Sequence, residues 1–442
     1  MRQLVSVGPS RRRLTLLFAL LLTLGVIVAA CGGDDSAAPA EEPAAEPAAE
    51  EPAAEEPAAE EPAAEEPAAE EPAAEPPAEA ASGEPLIIGR PIALSGFINF
   101  YDGPIGIASE VAAAEINAAG GILGRPVEFV DFDNGSDPAA SGAAAQEAIE
   151  AGAEIIIPTC DFDIAQGAAR TAHDNGILTI HCAGGELSGF SGLGALHFNV
   201  FPGGTSEGSS NAYHALERGW TNAYLLEDQL LDYTKDHCRF FEEAFVAGGG
   251  TIVGKDTFQN DDPSFASQIA AMQAAEPDVV AVCSVLPGGA AMMNQIRDVS
   301  DVPIETGIAF DGEFWLEAVG DISDVFIATV GSIAGDETDA TRAAYYEAYE
   351  AYAGEPAPHA LSLEGYQIMY LLAEAIEAAG TTEGAAVGKA LEDNDFTVLG
   401  ETFDFTPTCH RVSRPLTIVQ LQNGVLSRDG TPEIPEFPPS DC

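Results

Sequence analysis

Short apolar runs alternate with helically spaced segments along the chain from residue 84 onward. Strands are predicted where apolar runs end in Gly, Asp or Asn, at 86–94, 126–131, 154–158 and 177–181. Helices are predicted between them, at 107–119, 139–151 and 164–175. The run at 155–157 is unbroken, as in strands that are covered on both faces. This alternation predicts a parallel, doubly wound sheet.

The same rhythm then starts again. Further strands are predicted at 223–226, 251–255, 279–285, 304–310 and 325–330, with helices at 233–247, 264–274 and 288–299 between them. Helices alone follow at 340–352, 361–379 and 384–392, and the tail is extended at 400–404 and 416–422. Late helices after a second sheet indicate that the chain crosses between two lobes more than once.

The predicted fold class is therefore α/β, with two doubly wound parallel-sheet lobes around a ligand cleft. We expect 84–202 and 334–405 to form the first lobe, and 203–333 and 406–442 to form the second. Ligands of such sheets bind beyond the carboxyl ends of the strands, so two facing lobes create a cleft there.

The first 83 residues differ from the rest in composition. Three arginines at 11–13 precede an apolar run at 14–30, which is the order of a secretory signal peptide. The run ends in Val28-Ala29-Ala30-Cys31, which resembles a bacterial lipobox, so Cys31 is the expected lipidation site. An uncleaved membrane anchor is the alternative. Either interpretation places the folded part outside the cytoplasm, anchored to the cell membrane.

An acidic, proline-rich repeat fills most of 31–83. It has no aromatic or β-branched residues from 37 to 81 and cannot form a core. Regular prolines block a continuous helix, and like charges extend the segment, which predicts a spacer that lifts the folded part off the membrane. Binding of a partner to the acidic tract is the alternative.

Charge excludes one class of function. The chain has 17 Lys+Arg and 72 Asp+Glu, a net of −55. Residues 1–83 hold 4 of the basic and 17 of the acidic residues, which leaves 13 and 55 for the folded part, a net of −42. Such a chain cannot neutralise nucleic-acid phosphates. High negative charge also favours a soluble monomer.

The motifs of common enzymes are missing from the sequence. There is no His-Glu-x-x-His, no nucleotide fingerprint and no metal-ligand spacing, so we predict no enzyme activity, cofactor or metal. The segment 204–208 matches the Gly-x-Ser-x-Gly of serine hydrolases. Because Pro202 and two glycines separate Ser206 from the preceding strand, we expect this serine to cap a helix instead.

Six cysteines follow Cys31, and an even number in an exported chain favours disulfides. Cys160 and Cys182 follow consecutive strands of one βαβ unit, which makes them the best pair. The other expected pairs are Cys238 with Cys283 and Cys409 with Cys442. Free, buried thiols are the alternative.

Three segments carry a resemblance to a known family. They are 92–96 (IALSG), 113–128 (AAEINAAGGILGRPVE) and 133–138 (DNGSDP). They resemble the first lobe of type I periplasmic binding proteins, in the leucine/isoleucine/valine-binding branch. The resemblance implies a two-lobed receptor that delivers a small molecule to an ABC transporter permease, with three crossovers as its hinge. It also suits a lipid anchor and a spacer.

The resemblance also implies ligand contacts. Tyr101 and Tyr233 match cleft aromatics, Asp311-Gly312 matches the residues that receive a ligand ammonium, and Val285 and Leu286 match a side-chain wall. The predicted ligand-binding residues come from these matches and from the loops that follow the third and fourth strands. They are Tyr101, Asp161, Phe162, Ala183, Gly184, Gly185, Tyr233, Leu286, Asp311 and Gly312. The alternative for each is a loop or core role.

Two departures from the family pattern bear on the ligand. Amino-acid receptors hold the ligand carboxylate with a serine after the third strand and a threonine after the fourth. This chain has Cys-Asp-Phe-Asp at 160–163 and Cys-Ala-Gly-Gly at 182–185. The two acids would repel a carboxylate, although glycine N–H groups still bind one. The candidates are an amino acid, an amide, a urea-like molecule and a cation, unless Asp161 or Asp163 only caps the next helix.

Two other functions remain open at this stage. A sensory receptor of the same fold would pass its liganded state to a membrane partner. A structural or adhesive surface lipoprotein would bind no small molecule.

Overall fold

A computed structural model describes residues 81–182, 184, 192–320, 322–405 and 410–438. The predicted signal peptide, the lipidation site Cys31 and nearly all of the spacer lie outside these residues. Ala183, Gly185, Cys409 and Cys442 do so as well. Within the described ranges, the helices are all too short or too polar to cross a bilayer.

The first sheet has five parallel strands. They are β1 (Leu86–Ile92), β2 (Val127–Asp133), β3 (Ile155–Ile156), β4 (Leu178–His181) and β5 (His197–Asn199), in the order β2-β1-β3-β4-β5. Helices α1 (Asn99–Ala118), α2 (Pro138–Glu150) and α3 (Phe162–Asp174) connect the first four. The central strands β3 and β4 are fully buried, and the unbroken apolar run at 155–157 predicts this for β3.

The chain then builds a second sheet. Its parallel strands are β6 (Asn222–Asp228), β7 (Thr251–Phe258), β8 (Val279–Cys283), β9 (Ile304–Thr306) and β10 (Val325–Thr329). Its helices are α4 (Gly203–Glu217), α5 (Asp232–Ala247), α6 (Ala266–Ala275), α7 (Gly288–Arg297) and α8 (Leu316–Val319).

The late helices return to the first sheet. They are α9 (Ala340–Ala353), α10 (Leu363–Ala379) and α11 (Gly384–Asp393), of which α10 packs on α1 and α11 packs on β4. A hairpin of β11 (Phe396–Val398) and β12 (Glu401–Phe403) follows. Strands β13 (Thr417–Gln422) and β14 (Val425–Gly430) then extend the second sheet, antiparallel, to the order β14-β13-β10-β9-β8-β6-β7.

The chain thus passes between the sheets three times, after β5, after β10 and after β12. This confirms the predicted α/β class with two lobes, each built on a mainly parallel sheet. The lobe boundaries drawn from the sequence stay predictions.

Two local predictions were wrong. The strand expected at 304–310 ends at Thr306, and Ile308–Phe310 forms a 3-10 turn. The N–H of Ile308 donates to Oε1 of Glu207 at 2.6 Å, and a Cβ on Gly307 would lie 2.1 Å from the same oxygen. Ser206 does not cap a helix, because α4 begins at Gly203 and places this serine one turn inside. Its buried Oγ accepts the N–H of Arg414 at 3.0 Å.

Two disulfides join elements within the lobes. Cys160, after β3, is bonded to Cys182, after β4, with Cα atoms 4.7 Å apart. Cys238 in α5 is bonded to Cys283 in β8, with Cα atoms 5.5 Å apart. These are two of the three pairs expected from the sequence.

Candidate ligand-binding site

A small cavity of about 50 Å³ lies between the two lobes. It is bounded by loops that follow strands of both sheets, which is where ligands of parallel sheets bind. Its wall residues are Ile98, Tyr101, Cys160, Asp161, Cys182, Gly184, Phe201, Tyr233, Val285, Ile308, Ala309 and Leu361. In this form the cavity suits a compact molecule.

The buried carboxylate of Asp102 in α1 organises the first-lobe wall. One oxygen accepts the N–H of Ala93 at 2.7 Å, and the other accepts the N–H of Cys160 at 3.0 Å. Burial raises the pKa of Asp102 to about 6, although these two hydrogen bonds oppose the shift. The residue thus ties the loop after β1 to the loop that carries the disulfide, and both loops bound the cavity.

Asp161 has two structural roles. Its Oδ1 accepts the N–H of Ile164 at 3.2 Å, so it caps α3, which was the alternative left open by the sequence. The same residue also lines the cavity. Burial, together with the nearby carboxylate of Asp163, raises the pKa of Asp161 to about 7.

Glu207 in α4 supports the second-lobe wall. Its Oε1 accepts the hydroxyl of Tyr233 at 2.7 Å and the N–H of Ile308 at 2.6 Å. Its Oε2 is buried without a hydrogen-bond partner among the described residues. Burial raises the pKa of Glu207 to about 7. Glu207 was not predicted as a site residue. The signal that could have identified it is an acid among the small residues of 203–210, a composition typical of a tightly packed position.

Direct contacts join the lobes around the cavity. The hydroxyl of Tyr101 in α1 donates to the carbonyl of Ala309, after β9, at 2.8 Å. Asp163 in α3 accepts the N–H of Asp232 at 3.1 Å and thereby caps α5, which has no side-chain cap of its own. A Cβ on Gly184 would lie 2.4 Å from the ring of Tyr233, so glycine permits this approach. The structure is a closed form.

Asp311 and Gly312 do not line the cavity, so their contact with a ligand stays a prediction. The carboxylate of Asp311 is buried and accepts the N–H of Leu361 at 3.0 Å. Burial raises the pKa of Asp311 to about 6. Gly312 has a φ of +97°, and a Cβ there would lie 2.1 Å from the carbonyl oxygen of Pro358. Asp311 therefore binds the backbone of Leu361, a residue of the cavity wall, without lining the cavity itself.

Two other predicted residues also lie off the wall. Phe162 is buried against Leu193, with its ring 5.4 Å from that of His197. Leu286 lines an adjoining groove with Phe97 and neighbouring residues. Packing beneath the cleft explains the position of Phe162, whereas Leu286 is half-buried in the groove.

Several wall residues had no local sequence signal. Phe201 follows β5 in a crossover, Ile308 and Ala309 lie where a strand was predicted, and Leu361 belongs to the helices that return late. Of the predicted set, Tyr101, Asp161, Gly184 and Tyr233 are brought together here, as is the disulfide of Cys160 and Cys182. Within the described part of the chain, no three His, Cys, Asp or Glu side chains are arranged to hold a metal ion.

Comparisons with known proteins agree with this geometry. The Leu/Ile/Val-binding protein BraC3 of Rhizobium johnstonii is 26% identical over 330 residues, which cover 70% of this chain and 83% of that relative. The substrate-binding protein LivJ of a branched-chain amino acid transporter from Streptococcus pneumoniae, solved with isoleucine, has a TM-score of 0.69. It is 22% identical, and the match covers 79% of this chain and 99% of that one.

A second solved structure widens the range of ligands found on this fold. The solute-binding protein of an ABC transporter from R. palustris, solved with benzoate, has a TM-score of 0.67 at 20% identity. The match covers 80% of this chain and 98% of that one. A family model described as periplasmic binding protein matches residues 85–426. The chain belongs to the periplasmic binding protein family.

Proposed function

We propose that this chain is the extracytoplasmic solute-binding component of an ABC importer, and that it captures one small polar molecule between its lobes. The observation that carries the proposal is a cavity at the strand ends of both sheets, closed by the hydrogen bond from Tyr101 to Ala309. A relative named for binding Leu, Ile and Val supports transport as the role. The permease of that importer is the expected partner.

The ligand is an amino acid or a related amide, urea-like molecule or cation. Isoleucine and benzoate in the solved relatives show that this fold accepts different small molecules. The proposed contacts are Tyr101, Asp161, Gly184 and Tyr233, which line the cavity. Ala183 and Gly185 are proposed from the sequence alone. Phe162, Leu286, Asp311 and Gly312 are proposed to support the wall or its entrance.

Attachment to the membrane belongs to the same proposal. Removal of 1–30 and lipidation of Cys31 would anchor a monomer to the outer face of the cell membrane. The acidic segment up to residue 83 would then let the folded part reach the permease.

A thermal-shift screen of the purified chain with amino acids, amides, amines and aromatic acids tests the function. We expect at least one class to raise the melting temperature. Tyr233→Ala should abolish that shift, since it removes a wall ring and the partner of Glu207. Tyr352→Ala is the matched control, because this tyrosine is 52% exposed. A screen without any stabilising compound would contradict the proposal and favour a structural surface lipoprotein.

A further inference from the structure

The acids around the cavity have no basic counterpart on its wall. Asp161 lies on the wall itself, and no lysine or arginine lines it among the described residues. Glu207 lies directly behind Tyr233 and Ile308, and one of its carboxylate oxygens has no hydrogen-bond partner there. A carboxylate buried without a cation is costly to ionise. Among the described residues, the wall therefore supplies no positive charge to Asp161.

The groups that face Asp161 do not supply this charge. Tyr101 and Asp102 face it from α1, and Asp163 faces it from its own helix. On α5, Lys235 is half-exposed and is paired with Asp232 at 2.9 Å. The remaining α5 group at the cavity, Tyr233, donates its hydroxyl to Glu207.

The rest of the wall suits an organic cation. Three aromatic side chains, Tyr101, Phe201 and Tyr233, line the cavity, and aromatic rings attract ammonium groups. The aliphatic side chains of Val285 and Ile308 provide an apolar surface for a short hydrocarbon body. A carboxylate would instead meet Asp161 in a space of only about 50 Å³.

We propose that the ligand is a small organic cation without a carboxylate, such as a short alkylamine, and that Asp161 is its charge partner. The inference rests on the proposed solute-binding function and names its substrate class. Zwitterionic amino acids and aromatic acids are excluded as preferred ligands, because each brings a negative charge next to Asp161 on a wall that has no lysine or arginine among the described residues.

A pH dependence follows from the same geometry. Burial raises the pKa of Asp161 to about 7, so this carboxyl is largely protonated in mild acid when the site is empty. A cation binds the ionised form, and its affinity should fall by about tenfold per pH unit below that value. A neutral ligand should show no such loss.

Calorimetric titration of the purified chain with four molecules that share one branched apolar body tests the inference. They are isobutylamine, valine, 3-methylbutanoate and isobutyramide, which carry a cation, a zwitterion, an anion and a neutral amide. We expect isobutylamine to bind at least about tenfold more tightly than the other three at pH 7.5, and its affinity to fall at pH 5.5. Equal or tighter binding of valine, the acid or the amide would overturn the inference.

Two variants locate the charge partner. Asp161→Asn keeps a side chain that caps α3, so the fold is retained, and amine affinity should fall about 30-fold. Asp137→Asn is the matched control, since this exposed acid also caps a helix, α2, and does not line the cavity, and amine affinity should stay within about threefold. An equal loss in the two variants, or no loss in Asp161→Asn, would contradict the role of Asp161.

Different results would contradict the proposed solute-binding function and the inference that the ligand is a cation. If valine binds best and Tyr233→Ala abolishes its binding, solute capture stands and the cation inference is wrong. If none of the four molecules binds and the wider screen finds no ligand, the proposed function itself fails.

Discussion

The hydroxyl of Tyr101 donates to the carbonyl of Ala309 at 2.8 Å, from one lobe to the other across the cavity. The neighbouring N–H of Ile308 donates to Glu207. One short turn therefore connects a helix of the second lobe to a helix of the first, and it does so at the wall of the ligand site.

Removing this hydroxyl should weaken closure. A typical hydrogen bond contributes about 1 kcal/mol, so Tyr101→Phe should reduce ligand affinity about threefold to tenfold while the ring keeps its packing. Calorimetry with the best ligand of the screen measures the change. Tyr352→Phe serves as the control, and an unchanged affinity in Tyr101→Phe would show that the contact does not support the closed state.

The two disulfides should differ in their effect on binding. Cys160 and Cys182 line the cavity, and their bond closes a loop with a sequence separation of 22. Replacing both by serine should lower stability by about 3 kcal/mol and also weaken ligand binding. The matched pair, Cys238 and Cys283, does not line the cavity. The double serine variant of this pair should lose stability but keep its affinity for the ligand.

Denaturant titration and calorimetry on both double variants separate these effects. Mass spectrometry of the purified chain, alkylated without reductant, is the accompanying check. Free thiols at Cys160 and Cys182 would contradict the bond, and equal affinity in the two double variants would contradict its place in the site.

Ligand-free stability should fall as pH rises through neutrality. Burial raises the pKa of Glu207 from 4.5 to about 7, so the folded state holds a proton that the unfolded chain has lost in this window. The contribution of Glu207 to the free energy of unfolding is full below about pH 4.5 and declines as pH rises through 7. Glu207→Gln removes the titration and keeps an acceptor for Tyr233 and Ile308.

We therefore expect the loss of stability between pH 5 and 8 to be smaller in Glu207→Gln by about 1–3 kcal/mol. Guanidinium unfolding at the two pH values measures it. The exposed acid Glu347 provides the control substitution to Gln. An identical pH slope in Glu207→Gln and the unaltered chain would contradict the burial of an ionisable group at this position.

Arg414 should stabilise the crossovers between the lobes. Its guanidinium contacts Glu401 at 2.5 Å and the carbonyl of Val200 at 3.3 Å, and its N–H donates to Ser206. Arg414→Met should reduce stability by about 2–3 kcal/mol, because it leaves the largely buried Glu401 with one fewer partner. Lys389→Met, in an exposed pair, should be silent. A silent Arg414→Met in denaturant titration would contradict this role.

The sequence predicts the architecture well because strand and helix periodicity is a local property. Neighbouring residues are enough to predict the α/β alternation around 155–157 and the helix that Asp137 caps. The end of β9 at Thr306 cannot be predicted in this way, because the turn after it donates the N–H of Ile308 to Glu207, which is 101 residues earlier in the chain. The role of Ser206 cannot be either, because its hydroxyl accepts from the distant Arg414.

The site shows the same division. Tyr101 and Tyr233 lie in the first turns of α1 and α5, and the resemblance to a known family put them in the predicted set. Asp311 follows a strand, but its carboxylate turns to the N–H of Leu361 in a segment that returns from the other lobe. Which of several acids at strand ends faces a cavity depends on such distant partners, and spacing alone does not reveal it.

Small-angle scattering of the purified chain with and without the best-binding ligand tests the central claim most directly. If the lobes close on a small molecule, the ligand should reduce the radius of gyration of the unaltered chain and should leave that of Tyr233→Ala unchanged. A ligand that binds the unaltered chain without any reduction in its radius of gyration would contradict capture between the lobes.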